Sequence, residues 1–303
     1  MLPDAANPER GRFVRDQVAA LRRLGGIEVE LHEFGPGARA LAREGLELRR
    51  RFVERFDVVH AHFGLTAWPA LAVRARVRAL TVHGTDVSHP RTRIATAAVL
   101  PLIDLLGAVS AALVQELPGQ TARRRAQVLP CGVDVERFHP IPRTHARAEL
   151  GLDPDGPYVL FAADPSRAEK RHDRALALAL AAGVQLLTLG HVDPERVPLW
   201  VNAANAVLVP SEREGFGLAV LEALACDVAV LATPVGVHAD ALEHVPGTLC
   251  APFDLARWRT ALEPHLHEAD PRIAGRASAS RFSAAKMAAR VADAWREQLA
   301  RSG

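Results

Sequence analysis

Short apolar runs alternate with helix-like runs along nearly the whole chain, and this alternation limits the possible folds more than any other feature. Most of the apolar runs are continuous, which is typical of parallel strands that helices cover on both faces. The sequence therefore predicts an α/β fold with doubly wound parallel sheets. The expected strands are Ile27–Leu31, Asp57–Ala61, Ala79–His83, Leu105–Val109, Gln127–Leu129, Tyr158–Ala162, Val184–Leu189, Ala206–Val209, Val228–Ala232 and Thr248–Cys250.

The chain is predicted to form two domains, because its 303 residues exceed the length of an average domain. Proline and glycine cluster at residues 140–142 and 153–157, which indicates a linker near 140–156. We therefore expect α/β domains at 1–140 and 141–282. The remaining residues, 283–303, are expected to form an amphipathic helix, because Met287, Val291 and Trp295 recur at helical spacing.

Composition excludes several classes of protein. The net charge of +2 is too small to indicate a nucleic-acid partner, and no nucleic-acid motif accompanies it. No apolar run reaches the ~18 residues of a membrane span, and the charged start of the chain lacks the apolar core of a secretion signal. Cys131, Cys226 and Cys250 fit no metal-binding spacing. We therefore expect a cytoplasmic protein with reduced thiols.

The start of the chain lacks an expected strand. Residues 13–24 form a helix-like run with an apolar stripe, yet residues 1–11 contain no strand-like run. In a doubly wound fold, a helix at this place follows a strand in the middle of the sheet, and a missing central strand leaves its neighbours unpaired. We therefore expect that the sequence starts internally or is a truncated form. An upstream extension of roughly ten apolar residues should raise stability and activity.

The segment around Glu214 carries the strongest functional signal. It joins a strand-like run to a helix-like run through a glycine-rich turn, and the first turn of such a helix offers free N–H groups and a positive dipole end to a phosphate. Glu214 and Glu222 flank this turn, and a carboxylate can accept two hydroxyl donors from a ribose or a sugar ring. We expect a site for a phosphate between hydroxyl-rich rings; the alternative is a helix with two surface glutamates. The turn consists of Gly215, Phe216, Gly217 and Leu218.

Lys170 is the expected cation of a diphosphate site. Of the 37 basic residues only Lys170 and Lys286 are lysines, so a retained lysine indicates a place that needs a compact ammonium group. Lys170 follows a predicted strand, and loops at the carboxyl ends of parallel strands line the ligand crevice of doubly wound folds. A cation in that loop can neutralise a diphosphate leaving group. The alternative is a solvated, charged turn.

Three histidines lie at the ends of predicted strands. His83 stands at a strand end before a glycine, from where its side chain can point into a ligand cleft. We expect His60 and His62 to point to opposite sides of one strand and to be structural, with a ligand-facing His62 as the alternative. No Asp, Cys or third His is placed in the sequence to join them, so no metal site is predicted.

The pattern as a whole resembles the retaining glycosyltransferases of family 4, which have the GT-B fold. The resemblance covers roughly the full chain and is weakest before residue 60, and residues 214–222 match the E-x7-E motif of the family. It implies two Rossmann-like domains that face a cleft, with the nucleotide held mainly by the C-terminal domain. The other matching pieces are Gly11-Arg12-Phe13-Val14-Arg15-Asp16-Gln17, Val59-His60-Ala61-His62, His83-Gly84-Thr85-Asp86, Leu129-Pro130-Cys131-Gly132-Val133-Asp134 and Lys170.

The resemblance also implies roles for particular residues. Glu214 would contact hydroxyls of the donor sugar, Glu222 the ribose, and the backbone N–H groups of residues 215–218 the sugar phosphate. Lys170 would stabilise the leaving diphosphate, and His83 would hydrogen-bond the sugar near the reacting carbon. Many relatives carry an arginine where this chain has Asp164, so Arg167 is expected to supply the second cation from a shifted position.

The implied activity is transfer of a sugar, with retention, from a nucleotide-diphosphate sugar to an unknown glycan, lipid or small metabolite. No metal and no further cofactor are expected, and the acceptor side would include His62 and Gly11. Arg49-Arg50-Arg51 is expected to be a solvated helix face, with peripheral membrane contact as the alternative. The rival functions are a non-catalytic nucleotide-sugar-binding relative and a GT-B epimerase acting on the nucleotide sugar.

Overall fold

A computed structural model describes residues 11–35 and 37–302 of the chain. Two compact units make up this structure. The first contains residues 11–132 together with 285–302, and the second contains residues 133–284. The units thus divide at residue 132 instead of the expected 140, and the C-terminal helix belongs to the first unit.

The first unit is built on a four-stranded sheet in which all neighbouring strands run parallel. Its strands lie side by side in chain order, so the first strand forms one edge. In register, His60 lies opposite Ala79, and Ala79 lies opposite Leu105. The elements are α1 Arg12–Arg23, α2 Ala38–Arg51, β1 Phe56–His62, α3 Gly64–Ala70, β2 Ala75–Val82, α4 Thr85–Ser88, α5 Pro90–Val99, a 3₁₀ helix Leu100–Leu102, β3 Leu105–Ala108, α6 Ala111–Glu116, α7 Gln120–Arg125 and β4 Gln127–Val128.

The second unit contains a five-stranded parallel sheet in which the first strand of the unit lies inside the sheet. The elements are α8 Arg143–Leu150, β5 Tyr158–Phe161, a 3₁₀ helix Ala168–Lys170, α9 His172–Ala182, β6 Gln185–Thr188, a 3₁₀ helix Pro194–Arg196, α10 Val197–Ala203, β7 Ala206–Val209, α11 Leu218–Ala225, β8 Ala229–Ala232, α12 His238–Leu242, β9 Leu249–Cys250, α13 Leu255–Leu262, α14 Pro264–His267 and α15 Arg276–Arg281. The strand order is β6-β5-β7-β8-β9.

The core of the second unit shows why its strands are continuous apolar runs. Every residue of β5, β7 and β8 is buried. On one face, helices α9 and α13 cover the sheet, and Leu178 and Trp258 pack against Val159 and Leu208. Helix α11 contacts β7 and β8. Parallel strands covered by helices have no solvent-facing residues that would make the sequence alternate.

The last helix, α16 Ala284–Arg301, follows the predicted amphipathic pattern. Met287 and Val291 are buried. Ala294, Trp295 and Leu299 pack against residues of β2 and β3 in the first unit. The apolar stripe of this helix is therefore explained by its contact with the first sheet.

The predicted linker at 140–156 is a packed part of the second unit. Helix α8 occupies the middle of it, and its Arg143 and Arg147 are buried, at 1% and 3% exposed. Their guanidinium groups donate to backbone oxygens of Ala203, Ala204 and Ala269. Proline and glycine mark the ends of this helix, and the buried arginines anchor it.

Every predicted strand is present except Ile27–Leu31, which forms neither helix nor strand. Its apolar residues are half-buried and alternate with the exposed Glu28 and Glu30, as in a strand with one covered face. A strand also needs a hydrogen-bonded neighbour, and among the described residues none lies beside this segment. The expectation about residues 1–10 lies outside the described residues.

Candidate functional site

Two loops meet at the carboxyl ends of β5 and β7 in the second unit. The Glu212 N–H donates to the Glu169 oxygen at 2.9 Å, and the Arg174 guanidinium donates to the Pro210 oxygen at 3.1 Å. The Arg171 guanidinium forms an ion pair with the Glu212 carboxylate. These contacts hold residues 164–171 against residues 210–214. We call the Arg171–Glu212 ion pair the loop clamp. Sequence analysis did not predict it, because only the packing of the two loops brings Arg171 to Glu212.

Lys170 and Glu214 form a largely buried ion pair where the two loops meet. The Lys170 ammonium lies 2.7 Å from Oε1 and 2.6 Å from Oε2 of Glu214, and the two side chains are 14% and 8% exposed. Ser211 Oγ donates to Glu214 Oε1 at 2.8 Å. Burial alone would raise the pKa of Glu214, but the charge and hydrogen bonds of Lys170 lower this pKa below its ordinary value. Glu214 is therefore a carboxylate at neutral pH.

The glycine-rich turn follows Glu214 directly and begins α11. Gly217, the residue before this helix, has φ of 105°, a backbone conformation that favours glycine, and no side chain caps the first turn. The Phe216 oxygen accepts a hydrogen bond from the Val237 N–H at 2.7 Å, which fixes the turn against the loop after β8. The start of α11 thus offers uncapped N–H groups next to the Lys170–Glu214 pair. Glu222 lies one turn into α11 and is half-buried.

His238 belongs to this cluster, and sequence analysis did not identify it. Its side chain is fully buried, and Nδ1–H donates to the Thr233 oxygen at 2.8 Å. Nε2 has no hydrogen-bond partner among the described residues. A Cβ atom placed on Gly217 would lie 2.5 Å from this nitrogen, so the ring packs directly against the turn. The only sequence signal is a histidine after Gly236-Val237 in the loop that follows β8.

Gly217→Ala is expected to destabilise the second unit and weaken binding at the turn. The new methyl group would clash with the buried His238 ring, and φ of 105° is strained for alanine. We expect a loss of about 2 kcal/mol in the free energy of unfolding, measured by urea titration. Gly183→Ala is the matched control, since φ is 66° there and a Cβ meets nothing within 4 Å. Equal losses in the two variants would contradict the role of the His238 contact.

Arg167 and Asp164 lie in the same loop as Lys170 but take other partners. The Arg167 guanidinium donates to Glu169 Oε1 at 2.8 Å, and its side chain is 49% exposed. Asp164 Oδ1 accepts a hydrogen bond from the Ser166 N–H at 2.8 Å. This bond and a second one from the Ser166 side chain lower the pKa of Asp164. Asp164 thus shapes the start of the loop, and Arg167 remains a predicted second cation.

The predicted histidines of the first unit form one half-buried cluster. His62 Nδ1 lies 3.0 Å from His83 Nε2, and the ring of Phe13 packs on His83 at 4.6 Å between centroids. His60 and His62 stack at 4.8 Å, so the expectation that they face opposite sides is wrong. Side chains two positions apart along a strand lie on the same face. Gly11, the residue before α1, has φ of 75°.

Hydrogen bonds assign the protons within this cluster. The Trp295 indole N–H donates to His60 Nδ1 at 3.1 Å, so His60 carries its proton on Nε2, which bonds Thr81 Oγ1 at 2.8 Å. The Gln17 amide lies 3.4 Å from His62 Nε2 and donates to it. The proton of His62 is then on Nδ1 and is shared with His83 Nε2, which leaves His83 with its own proton on Nδ1.

Lowering the pH should reduce the unfolding free energy of the first unit through the histidines of this cluster. Burial lowers the pKa of His62 from 6.5 to about 4, and lowers the pKa values of His60 and His83 well below 6.5. Below pH 6.5 the unfolded chain therefore binds more protons than the folded chain. We expect an unfolding free energy that is level above this pH and falls as pH decreases toward 4, by up to ~1.4 kcal/mol per pH unit for each histidine.

Urea titrations between pH 7.5 and pH 5 measure this slope. His62→Gln should flatten it, while His267→Gln, which changes an exposed histidine, should leave it unchanged. If the slope is the same in wild type and His62→Gln, the pH dependence of stability does not come from the histidine cluster.

The arginine run of α2, metal sites and membrane spans were the remaining features considered from sequence. Arg49, Arg50 and Arg51 are exposed in the last turn of α2, where cations favour the negative end of the helix dipole. Within residues 11–35 and 37–302, no three His, Cys, Asp or Glu side chains are placed to hold a metal ion. No helix in the same ranges is long and apolar enough to cross a membrane.

Two family models match the chain in succession. Residues 6–137 match Glycosyltransferase Family 4, and residues 151–276 match glycosyl transferases group 1. D-inositol 3-phosphate glycosyltransferase 1 of Catenulispora acidiphila is 31% identical, over 76% of this chain and 68% of that protein. D-inositol 3-phosphate glycosyltransferase of Frankia alni is 30% identical, over 70% of this chain and 66% of that protein. The chain therefore spans about two thirds of the length of these curated relatives.

Solved structures share the fold over nearly the whole chain. A sucrose-phosphate synthase from Thermosynechococcus elongatus has a TM-score of 0.71 and 20% identity, covering 96% of this chain and 94% of that chain. HepE of Anabaena, in complex with UDP and glucose, has a TM-score of 0.69 and 17% identity, covering 95% of this chain and 96% of that chain. By sequence and by fold, the chain belongs to glycosyltransferase family 4 and has the GT-B fold.

Proposed function

We propose that the chain transfers a sugar from a nucleotide-diphosphate sugar to a hydroxyl acceptor, and that the second unit holds the donor. The observation that carries this proposal is the largely buried Lys170–Glu214 ion pair beside the uncapped start of α11. An ammonium group and free helix N–H groups suit a diphosphate, and a carboxylate suits sugar hydroxyls. One cluster therefore offers partners for both halves of such a donor.

In the proposed complex, the donors of this cluster act on the leaving group and its carboxylates act on the sugars. Lys170 and the N–H groups of residues 215–218 stabilise the negative charge that develops on the departing diphosphate, which is electrostatic catalysis of the leaving group. Glu214 accepts hydrogen bonds from sugar hydroxyls and orients the ring. Glu222 accepts hydrogen bonds from the ribose hydroxyls, and Arg167 adds a second cation on the diphosphate.

Donor binding changes the partner of Lys170. In the structure its ammonium is held by both carboxylate oxygens of Glu214. A bound diphosphate shares this ammonium, and Glu214 keeps its hydrogen bond from Ser211 while it turns its free lone pairs to the sugar. The loop clamp between Arg171 and Glu212 keeps the two side chains near each other during this exchange.

Transfer with retention follows from attack on the same face that the leaving group departs from. The bond between the anomeric carbon and the phosphate oxygen breaks, and the acceptor oxygen bonds to that carbon on the same face. The acceptor proton passes to the departing phosphate oxygen, so the products are the glycoside and the nucleoside diphosphate. From the family resemblance we also propose that His83 offers its Nδ1 proton to a sugar hydroxyl and that His62 and Gly11 contribute to acceptor binding.

The relatives suggest which substrates to test first. The two curated relatives are named D-inositol 3-phosphate glycosyltransferases, and HepE was solved with UDP and glucose. We therefore propose a uridine-diphosphate sugar as the first donor and D-inositol 3-phosphate as the first acceptor. The protein is expected to act in the cytoplasm without a metal ion or further cofactor.

A thermal-shift screen of UDP, GDP, ADP and TDP tests donor binding, because a ligand that binds only the folded chain raises its stability. We expect one diphosphate to raise the unfolding temperature more than its nucleoside does, with or without EDTA. Binding without turnover of any sugar donor would favour a non-catalytic relative. Turnover of the nucleotide sugar without an acceptor, giving an epimer, would favour an epimerase. Binding that EDTA abolishes and Mg²⁺ restores would contradict the metal-free site.

A further inference from the structure

His238 carries a buried nitrogen that the proposed donor site leaves unused. Its side chain is 0% exposed, and its Nδ1–H donates to the Thr233 oxygen at 2.8 Å. The proton of the neutral ring is therefore on Nδ1, and Nε2 carries a lone pair. Nε2 is buried and has no hydrogen-bond partner among the described residues. A buried acceptor without a partner lowers stability, and an apolar side chain would fill the same space without this cost, so Nε2 requires an explanation.

Backbone contacts fix the imidazole ring in one orientation beneath the glycine-rich turn. The Thr233 N–H donates to the Val209 oxygen at 3.1 Å, and the Thr233 hydroxyl donates to the Ser211 oxygen at 2.5 Å. Because Nδ1 is tied to Thr233, the opposite edge of the ring faces Gly217, where a Cβ atom would lie 2.5 Å from Nε2 and 2.7 Å from Cδ2. Gly217 has no side chain that would keep the ring away from the start of α11. The unpartnered nitrogen therefore lies directly behind the turn that is proposed to hold the phosphates.

Two charged side chains act on the ring from the neighbouring loops. Burial lowers the pKa of His238 below its ordinary value of 6.5, the Glu214 carboxylate acts to raise this pKa, and the Lys170 ammonium acts to lower it further. The ammonium and the carboxylate lie 2.6 Å apart, so their charges largely cancel at the ring. His238 is therefore neutral at pH 7 in this structure.

The other charged or titratable groups near α12 have roles of their own. Helices α11 and α15 and strand β9 contact α12. Arg281 of α15 lies 3.8 Å from Asp240, and Arg276 donates to a backbone oxygen of residue 138 at 2.9 Å. Burial raises the pKa of the Cys250 thiol in β9, which is therefore uncharged. Glu222 of α11 is the proposed ribose ligand. The protonation of His238 therefore depends mainly on the ion pair and on what binds at the turn.

A sugar diphosphate at the turn would change the charge that the ring experiences. Each of its two phosphates is linked on both sides and carries one charge near neutral pH. The ion pair alone is neutral, so the pair together with the ligand carries a charge of about −2, and nearby negative charge favours a protonated imidazole. The ring is close enough to respond because only the backbone of Gly217 separates Nε2 from the turn.

We infer that His238 is a positioning residue of the donor site, whose Nε2 takes up one proton from solvent when a sugar diphosphate binds and whose imidazolium then stabilises the phosphates across Gly217. This inference rests on the proposed function and adds a pH dependence to it. No bond of the donor forms or breaks in this step. Since binding raises the pKa of His238, the association constant is largest at low pH and falls, by up to ~10-fold per pH unit, as pH rises through the pKa of the bound state.

Titration calorimetry in two buffers that differ in ionisation enthalpy measures the protons taken up. The ligand is UDP-glucose, or whichever of GDP-, ADP- and TDP-glucose binds more tightly; UDP is unsuitable because its terminal phosphate itself titrates near pH ~6. We expect wild type to take up ~0.3 protons or more per bound donor at pH ~6.5.

His238→Asn keeps an N–H group for the Thr233 oxygen but cannot take up the proton. We expect it to bind the donor ~3-fold more weakly than wild type at pH ~6.5 and like wild type at pH ~8, with no proton uptake. His244→Asn is the matched control and should behave like wild type, because this side chain of the same unit is 90% exposed and asparagine tolerates its φ of 59°. A merely structural role of His238 predicts the same loss of affinity at both pH values.

Nuclear magnetic resonance of ¹⁵N-histidine-labelled wild type covers the case in which His238→Asn fails to fold. Contact between the Cδ2 proton and the α protons of Gly217 identifies the His238 ring, and the donor should convert its Nε2 from a bare to a protonated nitrogen. A bare Nε2 with donor bound, proton uptake that persists in His238→Asn, or equal losses of affinity at both pH values would overturn this inference alone. Absence of binding by all four glucose donors would overturn the proposed function and this inference with it.

Discussion

Replacing Glu214 with Gln is expected to lower the rate of sugar transfer by at least ~10²-fold, the usual effect of removing one group that stabilises a transition state. Gln keeps the size of the side chain but removes the charge that holds the Lys170 ammonium at 2.6–2.7 Å. The one remaining side-chain oxygen is a neutral acceptor, so both the contact to the sugar and the hold on Lys170 are weakened. A donor-consumption assay at saturating donor measures the change.

This variant should also unfold more easily, because Lys170 is only 14% exposed and loses its counterion. A loss of about 3 kcal/mol is typical when one partner of a buried pair is removed. The assay is therefore run well below the Tm of the variant, with the folded fraction measured by circular dichroism. Glu243→Gln, at an exposed carboxylate of the same unit, is the matched control and should keep the wild-type rate. A Glu214→Gln rate above half of the wild-type rate would contradict the proposed role of Glu214 in holding the donor sugar.

Replacing Lys170 with Ala is expected to weaken binding of the nucleoside diphosphate by ~10–100-fold while changing binding of the bare nucleoside by less than ~3-fold. Within the donor, the ammonium contacts only the phosphates in the proposed complex, and a charge-assisted hydrogen bond contributes about 1.5–3 kcal/mol. Titration calorimetry of UDP and uridine with the same protein preparation measures both affinities.

The chain supplies a natural control for this experiment. Lys286 is the only other lysine and is exposed on α16, so Lys286→Ala should bind both ligands like wild type. Lys170→Arg tests the need for a compact ammonium group, since it keeps the charge but replaces the ammonium with a larger, planar guanidinium. Equal losses of nucleoside and diphosphate affinity in Lys170→Ala would show that Lys170 is structural.

The sheets could be predicted from sequence where burial alone defines a strand. Runs such as Tyr158–Ala162 and Ala206–Val209 are apolar throughout because helices cover both faces, and no polar alternation obscures them. Ile27–Leu31 has an equally strong pattern but is not a strand, because pairing depends on a neighbour that sequence pattern does not reveal. The arginines of α8 look solvated in sequence but are buried against carbonyl oxygens, and the sequence pattern does not reveal this packing.

The site could be predicted residue by residue but not as an arrangement. The glycine-rich turn and the rarity of lysine pointed to Glu214 and Lys170 separately. Their direct contact depends on how two loops, 44 positions apart in sequence, pack against each other. His238 had no motif to identify it, since a lone histidine at the start of a short helix is common. Its place against Gly217 follows only from the packing of the loop after β8.

The most direct test of the proposed activity is release of nucleoside diphosphate from UDP-, GDP-, ADP- and TDP-glucose, followed with and without D-inositol 3-phosphate. Wild type, Lys286→Ala, Lys170→Ala and Glu214→Gln are compared at equal concentrations of folded protein. We expect release from at least one donor by wild type and Lys286→Ala, faster with an acceptor, and loss of at least ~10²-fold in the other two variants. Release that survives both substitutions, or tight donor binding by wild type without any release, would contradict sugar transfer at the Lys170–Glu214 site.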